Sequence, residues 1–483
     1  MPITTNITWK DLYQAEYGFD QPFQLTLNDN QVFISDKVVR IIPKKRLVAF
    51  GVWRGKPVVA KLFFDKQSKR HLEKDATGIK ILQENKVPTP TLLFQGTTHD
   101  KRVQVLLFER IFNAKNLEEI WQEKQNIEDI LPQLQTVIVE LATQHVLGIT
   151  QKDLHLKNFL LTDKVIYTLD GAQIEIHPTL LPKKESLENL TLFLAQFGIG
   201  QEALQEKLFV HYAKSRGWLL KNGDIAELFY TIKKINHERW KRYENKIFRD
   251  STSFAAFNVW ATKGMYDREF CSSFLINFFK NPDEIFQHQA IKILKNGRSS
   301  TVILTKINGK MLVIKRYNIK NVWHFLRRML RPTRATNCWR LALKLNLFGV
   351  KTAKPIAFFE KKYLGLRGKS YYVMEFVDGE NLKNYLAKER QHDENRAHIL
   401  SRVVTLLRNL AKLEITHGDL KATNILINEN QQPVLIDLDG AAEHFSLSGL
   451  RAAWRKEIKR FLKNFHDMPS VEQALKVELC KMD

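Results

Sequence analysis

The feature that most constrains this chain is that it repeats itself. VVAKLFF around Lys61 recurs as LVIKRYN around Lys315, 254 residues on, and NKVPTP at Asn85 returns as FGVKTAKP at Phe348. LLFER with Glu109 returns as VMEFV with Glu375, and QKDLHLKNFLL at Gln151 as HGDLKATNILI at His417, both 266 residues on. TLDGA at Thr168 returns as DLDGA at Asp437, 269 residues on. Five marks kept in one order mean two copies of one domain of about 240 residues. The 483 residues are therefore expected to divide as 1–240 and 241–483.

Each copy reads in the same order. Period-2 β-branched and aromatic runs open it, RLVAFGVW then VVAKLFF in the first and TVILTKI then MLVIKRY in the second. Turn residues join them, Arg54-Gly55-Lys56-Pro57 and Asn308-Gly309. Apolar residues at helical spacing follow, then two more strand-like runs, an amphipathic helix, an Asp/Asn loop, a short hairpin and closing helices. A β-rich lobe followed by a helical lobe is an α+β plan with two lobes per copy.

Composition excludes several classes. With 44% hydrophobic and 26% charged residues the chain is neither disordered nor collagen-like. No stretch approaches the ~18 apolar residues of a membrane span, and the first residues lack a secretion-signal pattern. Cys271, Cys338 and Cys480 are too few and too far apart for a disulfide framework or a zinc site, which fits a reducing cytoplasm.

Four positions per copy have the types and spacing that nucleotide-dependent phosphoryl transfer requires. A strand lysine, Lys61 or Lys315, reaches nucleotide phosphates as a point charge. A loop aspartate, Asp153 or Asp419, accepts the proton of a substrate hydroxyl. An asparagine five residues later, Asn158 or Asn424, offers an oxygen to Mg²⁺, and an aspartate after the next hairpin holds the metal that bridges the phosphates. One such motif arises readily by coincidence, whereas the ordered set occurring twice does not.

In this combination the sequence resembles the protein-kinase-like superfamily, whose pattern is a strand Lys, H-R-D-x-x-x-x-N and D-F-G. More narrowly it is similar to the bacterial lipopolysaccharide core kinases of the Kdo and heptose kinase type. That likeness rests on KRLVAFGVWRGKPVVAKLFF, VPTP, KNGRSSTVILTKINGKMLVIKRYN, THGDLKATNILI and VLIDLDGA, and covers nearly the whole chain, twice. It implies two tandem protein-kinase-like two-lobed domains that use ATP and Mg²⁺. Asp419 and Asp153 would be the bases, Asn424 with Asp437 and Asn158 with Asp170 the metal ligands, and Lys315 and Lys61 the phosphate clamps.

The departures are as informative. Kinases pair the strand Lys with a carboxylate on the next helix; copy one offers Asp75 or Glu73, and copy two offers none. Gln151 replaces the loop His in copy one. Aligning TLDGA on DLDGA sets Thr168 opposite Asp437 and leaves Asp170 as the only carboxylate there. Neither copy has a full glycine-rich loop; the nearest is Gly297-Arg298-Ser299-Ser300, where Ser299 and Ser300 with backbone N–H groups suit phosphate. Asp439 either supports the metal ligand or is a turn residue. His155, Lys157 and Lys421 either touch phosphate or face solvent.

The net charge of +23 has an address. From Ile285 to Phe359 there is no Asp or Glu and there are 16 Lys and Arg. Residues 315–340 interleave these with Trp323, Phe325, Met329 and Trp339, a mixture that suits a membrane interface or nucleic acid. The resemblance favours an anionic glycolipid, the lipopolysaccharide core, met by peripheral contact at the cytoplasmic face of the inner membrane, with no nucleic-acid partner expected. The basic helix from Arg451 to Phe465 would extend that surface. Two other readings stand beside this one: a protein or small-alcohol kinase, and a regulatory glycolipid-binding protein in which one or both copies are inactive.

Overall fold

The alternation in RLVAFGVW makes a strand whose every second side chain is buried, and an equivalent strand recurs in the second half. Each turns back through two residues of positive φ, Arg54-Gly55 in the first copy and Asn308-Gly309 in the second, the backbone geometry of a two-residue hairpin. The computed structural model describes residues 5–17, 19, 22–124, 126–259, 261–270, 278–319, 331–363, 366–388 and 393–480. Cys271 and most of the basic aromatic segment, including Trp323, Phe325, Arg327, Arg328 and Met329, lie outside the described residues.

The protein is α+β and forms two compact units, Met1–Phe197 with Glu202–Asn236, and Gly198–Gln201 with His237–Asp483. The helix Asp224–Ile247 runs across the division between them.

In the first unit, strands β1 (Val32–Ile42), β2 (Arg46–Trp53), β3 (Lys56–Phe63), β4 (Leu92–Thr97) and β5 (Gln104–Glu109) lie in the order β1-β2-β3-β5-β4 within a seven-stranded sheet. Helix α1 (Ser68–Glu84) connects β3 to β4, and α2 (Ile127–Val146) and α3 (Lys183–Leu194) belong to the helical part. In the second unit, β6 (Lys292–Asn296), β7 (Ser300–Ile307), β8 (Lys310–Tyr317), β9 (Pro355–Tyr363) and β10 (Leu366–Glu375) repeat that order as β6-β7-β8-β10-β9. Helix α4 (Arg334–Leu347) takes the place of α1, α5 (Asp393–Lys412) that of α2, and α6 (Leu447–Leu462) that of α3.

The registers agree residue by residue. Lys61 pairs with Val48 and Leu106, and Lys315 with Val302 and Tyr372. Helices α1 and α4 end alike: the Val87 N–H donates to the Leu82 carbonyl and the Val350 N–H to the Leu345 carbonyl, just after Lys86 and Gly349 at positive φ. Counting back from that shared end, Asp75 matches Cys338 and Gly78 matches Leu341.

Gly78 decides how α1 sits. A Cβ there would lie 1.9 Å from the carbonyl oxygen of Gly171, and a Cβ on Gly171 would lie 2.2 Å from that of Asp75. Helix and loop therefore meet backbone to backbone, which only glycine allows. In the second unit the matching residues, Leu341 and Leu438, are both buried. Gly171→Ala is expected to destabilise the first unit by about 1–3 kcal/mol through overpacking. Chemical denaturation of the full chain checks this, and an unchanged midpoint would contradict the close approach.

Candidate functional site

Lys61 and Lys315 are presented from the third strand of each five-stranded set, and each meets carboxylates. The Lys61 Nζ lies 2.7 Å from the Asp75 carboxylate on α1 and 3.7 Å from Asp170. Asp75 is fully buried, and its neighbour Glu73 lies instead 4.0 Å from Lys69 on the helix surface. The Lys315 Nζ lies 2.5 Å from Asp437 and 3.2 Å from Asp439. Desolvation works against charge on both sides of that pair. The mutual attraction prevails, holding Asp437 below the usual carboxylate range and raising Lys315.

The Asp/Asn loops are superposable in their bonding. Asn158 donates its Nδ2–H to the Asp153 carbonyl at 2.7 Å, and Asn424 donates to the Asp419 carbonyl at 2.9 Å. The next strand then pairs in the same register: the Leu169 N–H donates to the Asn158 carbonyl and the Ile436 N–H to the Asn424 carbonyl. Asp170 and Asp437 follow directly, both left-handed, with φ of 65° and 62°, and each opens a short 3₁₀ turn. Asp170, not Thr168, is therefore the counterpart of Asp437. The alignment of TLDGA on DLDGA was two residues out of register, because Gly-Ala follows Asp170 directly but follows Asp439 in the second copy. Thr168 matches Leu435, is fully buried, and accepts a hydrogen bond from Gln144 at 2.9 Å.

These oxygens suit a hard cation. Each asparagine spends its amide N–H on the loop carbonyl, which leaves Oδ1 as an acceptor, and the Asp170 Oδ1 is buried without a hydrogen-bond partner. Among the described residues no group of three or more His, Cys, Asp or Glu could hold a metal. Mg²⁺ commonly takes only one or two protein carboxylates and completes its shell with substrate phosphates and water.

Around the loop aspartates the copies differ. Asp419 is half-exposed and meets Lys421 at 2.8 Å and Arg460 at 3.6 Å. Asp153 meets His155 at 3.0 Å, while Lys157 pairs with Glu118. The loops are also braced differently from the helix that follows. In the second unit Glu457 of α6 is buried and accepts the backbone N–H of His417 at 2.8 Å and that of Gly418. The buried His417 ring bonds the Ile436 carbonyl at 2.9 Å, tying the loop to the Asp437 strand. In the first unit Asn189 of α3 donates to the Gln151 carbonyl at 2.8 Å, and its Oδ1 meets His145, whose other ring nitrogen meets the Tyr212 hydroxyl at 2.6 Å.

Sequence reading missed Glu457, although one signal was there: it is the only acid between Arg451 and Phe465. It also missed Arg40 of β1. That side chain is exposed, yet desolvation and the neighbouring Arg46 hold its guanidinium below the usual arginine range, while the carboxylates of Asp170 and Asp153 pull the other way. Ser300 is buried at the first position of β7. Ser299 borders a cavity with Tyr317, Asn318, Arg334 and Arg367 that includes none of Lys315, Asp419, Asn424 or Asp437.

The acid-free stretch is less free than its composition suggests. Among the described residues, six of its cations pair with carboxylates elsewhere in the same unit: Lys310 with Glu375, Lys315 with Asp437, Arg316 with Asp283, Arg340 with Glu244, Lys344 with Glu443 and Lys354 with Glu269.

With this geometry in view, comparison with known proteins is informative. Residues 289–477 match the family model described as the Lipopolysaccharide kinase (Kdo/WaaP) family. A 70-residue stretch is 33% identical to the Dual specificity protein kinase zakA of Dictyostelium discoideum, 14% of this chain and 9% of that protein. A 157-residue stretch is 25% identical to the EKC/KEOPS complex subunit SPAP27G11.07c of Schizosaccharomyces pombe, 32% of this chain and 63% of that protein. The chain thus spans less than two thirds of either relative. The second unit carries a domain of the kinase-like superfamily. It is Kdo/WaaP-like, which supports phosphotransfer of the sugar-kinase type and the use of ATP and Mg²⁺, and the two similarly built sheet-and-helix regions are consistent with tandem domains.

Two predictions follow from the braces. Glu457→Ala leaves two loop N–H groups without their acceptor and should cost about 2–4 kcal/mol, whereas Glu457→Gln, which keeps one oxygen, should cost less; thermal unfolding separates them. His145 is pushed down to about 4, chiefly by burial. Its unfolded form takes a proton near pH 6.5 that the folded form refuses until about pH 4, so the stability it supports is full above pH 6.5 and is lost as pH falls. Between those limits the loss is about 3 kcal/mol. Urea titrations at several pH values should show this slope, and His145→Gln should flatten it.

Proposed function

We propose that this chain transfers the γ-phosphoryl group of ATP to a sugar hydroxyl of the lipopolysaccharide core, working peripherally at the cytoplasmic face of the inner membrane. The observation that carries the reading is the Lys315–Asp437 pair beside the Asp419–Asn424 loop, all inside the interval that matches the lipopolysaccharide kinase family. The two units are taken as tandem protein-kinase-like two-lobed domains, 1–240 and 241–483. The first holds a parallel set in Asp153, Asn158, Asp170 and Lys61. Among the described residues no helix is long and apolar enough to cross a membrane.

Each residue has a task within this reading. Asp419, half-exposed on its loop, takes the proton of the acceptor hydroxyl. Lys421 and Arg460 flank that carboxylate and supply positive charge where an anionic acceptor enters. Lys315 clamps nucleotide phosphate, and Asn424 and Asp437 hold Mg²⁺, which when bound neutralises charge on the phosphates. In the first unit Arg40, Lys44, Lys45 and Arg46 border the β1–β2 turn, where kinases place the loop over the phosphates; here cationic side chains replace glycine backbone.

The test is transfer of radiolabel from ATP to purified core oligosaccharide. With Lys61→Ala silencing the parallel set of the first unit in both proteins compared, Asp419→Ala should lower turnover by about 10²–10⁴-fold, the range of a lost general base. Equal transfer by the two overturns the assignment of Asp419. Label appearing in protein instead would move the acceptor class toward that named for the zakA relative.

A further inference from the structure

The second unit lacks a helix carboxylate for its lysine, and the structure shows what stands there. At the position of Asp75 is Cys338, buried, with its Sγ 3.5 Å from the Asp439 Oδ1. That same oxygen accepts from Lys315 at 3.2 Å and from the Tyr317 hydroxyl at 2.6 Å. It is thus bonded from strand β8 and from helix α4 at once, and Asn337 of α4 adds a bond to the Ala441 carbonyl on the same loop at 3.0 Å. In the first unit the residue matching Asp439 is Ala172, which carries no functional group. The two copies have therefore traded a site. Carboxylate and small residue occupy Asp75 and Ala172 in one, and the reverse, Cys338 and Asp439, in the other.

The packing explains why the trade is possible. Gly78 and Gly171 let α1 press its backbone against the loop, which brings a helix side chain to Lys61. Leu341 and Leu438 occupy the same two positions in the second unit and put side chains between helix and loop. A carboxylate borne by the loop itself reaches the lysine directly, and since the shorter Cys338 side chain already comes within 3.5 Å of the Asp439 Oδ1, a carboxylate placed at 338 spans the remaining distance.

We propose that Asp439 is the positioning residue that holds Lys315 against the nucleotide phosphates, fulfilling in the second unit the part that Asp75 plays in the first. The inference rests on the reading of Lys315 as a phosphate clamp. Asp439 touches neither reacting atom; it acts through Lys315 and fixes the lysine relative to Asp437 and α4.

The test is a reciprocal exchange in the full chain, with Lys61→Ala as common background so that differences report the second unit. Asp439→Ala should lower kcat/KM for ATP and weaken Mg-ATP binding by about 10–100-fold, as loss of an orienting partner does. Cys338→Asp alone should also lose function, since two carboxylates then compete in one buried place. The double variant Cys338→Asp/Asp439→Ala should recover most of the loss, which a merely structural aspartate would not allow. Circular dichroism confirms folding, and Asp439→Asn gives the same comparison at constant shape. Wild-type ATP parameters in Asp439→Ala and Asp439→Asn overturn the proposal, as does a double variant no better than Asp439→Ala. If no acceptor is phosphorylated but Mg-ATP affinity follows the expected order, the acceptor reading fails and the inference stands. A chain that binds no Mg-ATP overturns both.

Discussion

A lysine buried in a β-sheet must be paired, and much of the second unit is arranged around that requirement. Removing an ammonium group from water costs several kcal/mol unless a carboxylate and good geometry compensate. Lys315 is only 7% exposed, and its partners Asp437 and Asp439 come from a loop more than a hundred residues away in sequence. Satisfying the lysine therefore fastens that loop to the sheet. Since the loop follows directly on the strand that bonds Asn424, the same pair also places the Asp419 loop. One electrostatic demand orders three segments that would otherwise be independent.

Holding a polar constellation in place needs bracing, and the two units brace the same loop with different chemistry. The second uses a buried carboxylate, Glu457, which accepts two backbone N–H groups. The first uses a neutral relay from Tyr212 through His145 and Asn189 to the Gln151 carbonyl. In both units the residue that meets the loop backbone, Glu457 or Asn189, comes from the helix that follows the hairpin, so the backbone plan is shared while the side chains are not. The left-handed Asp170 and Asp437 are strained positions that such bracing can maintain, and strain of this kind collects at working sites.

Order along the chain was the legible part of this protein. Strand alternation, the two-residue turns and the repeated D-x-x-x-x-N spacing all depend on local sequence, and the registers of Lys61 and Lys315 follow from them. Long-range partners were not legible. The match of Thr168 to Asp437 looked sound because Gly-Ala ends both segments, yet backbone hydrogen bonds carry the register and they point to Asp170. Glu457 read as one residue of a basic helix because its two N–H partners lie about forty positions earlier. The acid-free stretch read as a free cationic surface because its counter-ions, such as Glu244, Glu443 and Asp283, fall outside it in sequence and beside it in space.

The same distinction explains why the second copy looked defective. A rule that expects the lysine's partner on the following helix finds nothing between Ile285 and Phe359. What the lysine requires is an oxygen bearing negative charge at bonding distance, and no physical reason ties that oxygen to a particular segment. Where glycines let helix and loop backbones touch, the helix supplies it from Asp75. Where leucines fill the gap, the loop supplies it from Asp439, and Cys338 packs in the vacated place with its thiol toward the carboxylate. Two similarly built units under one chemical demand, with different packing, thus meet it from opposite sides of the same gap.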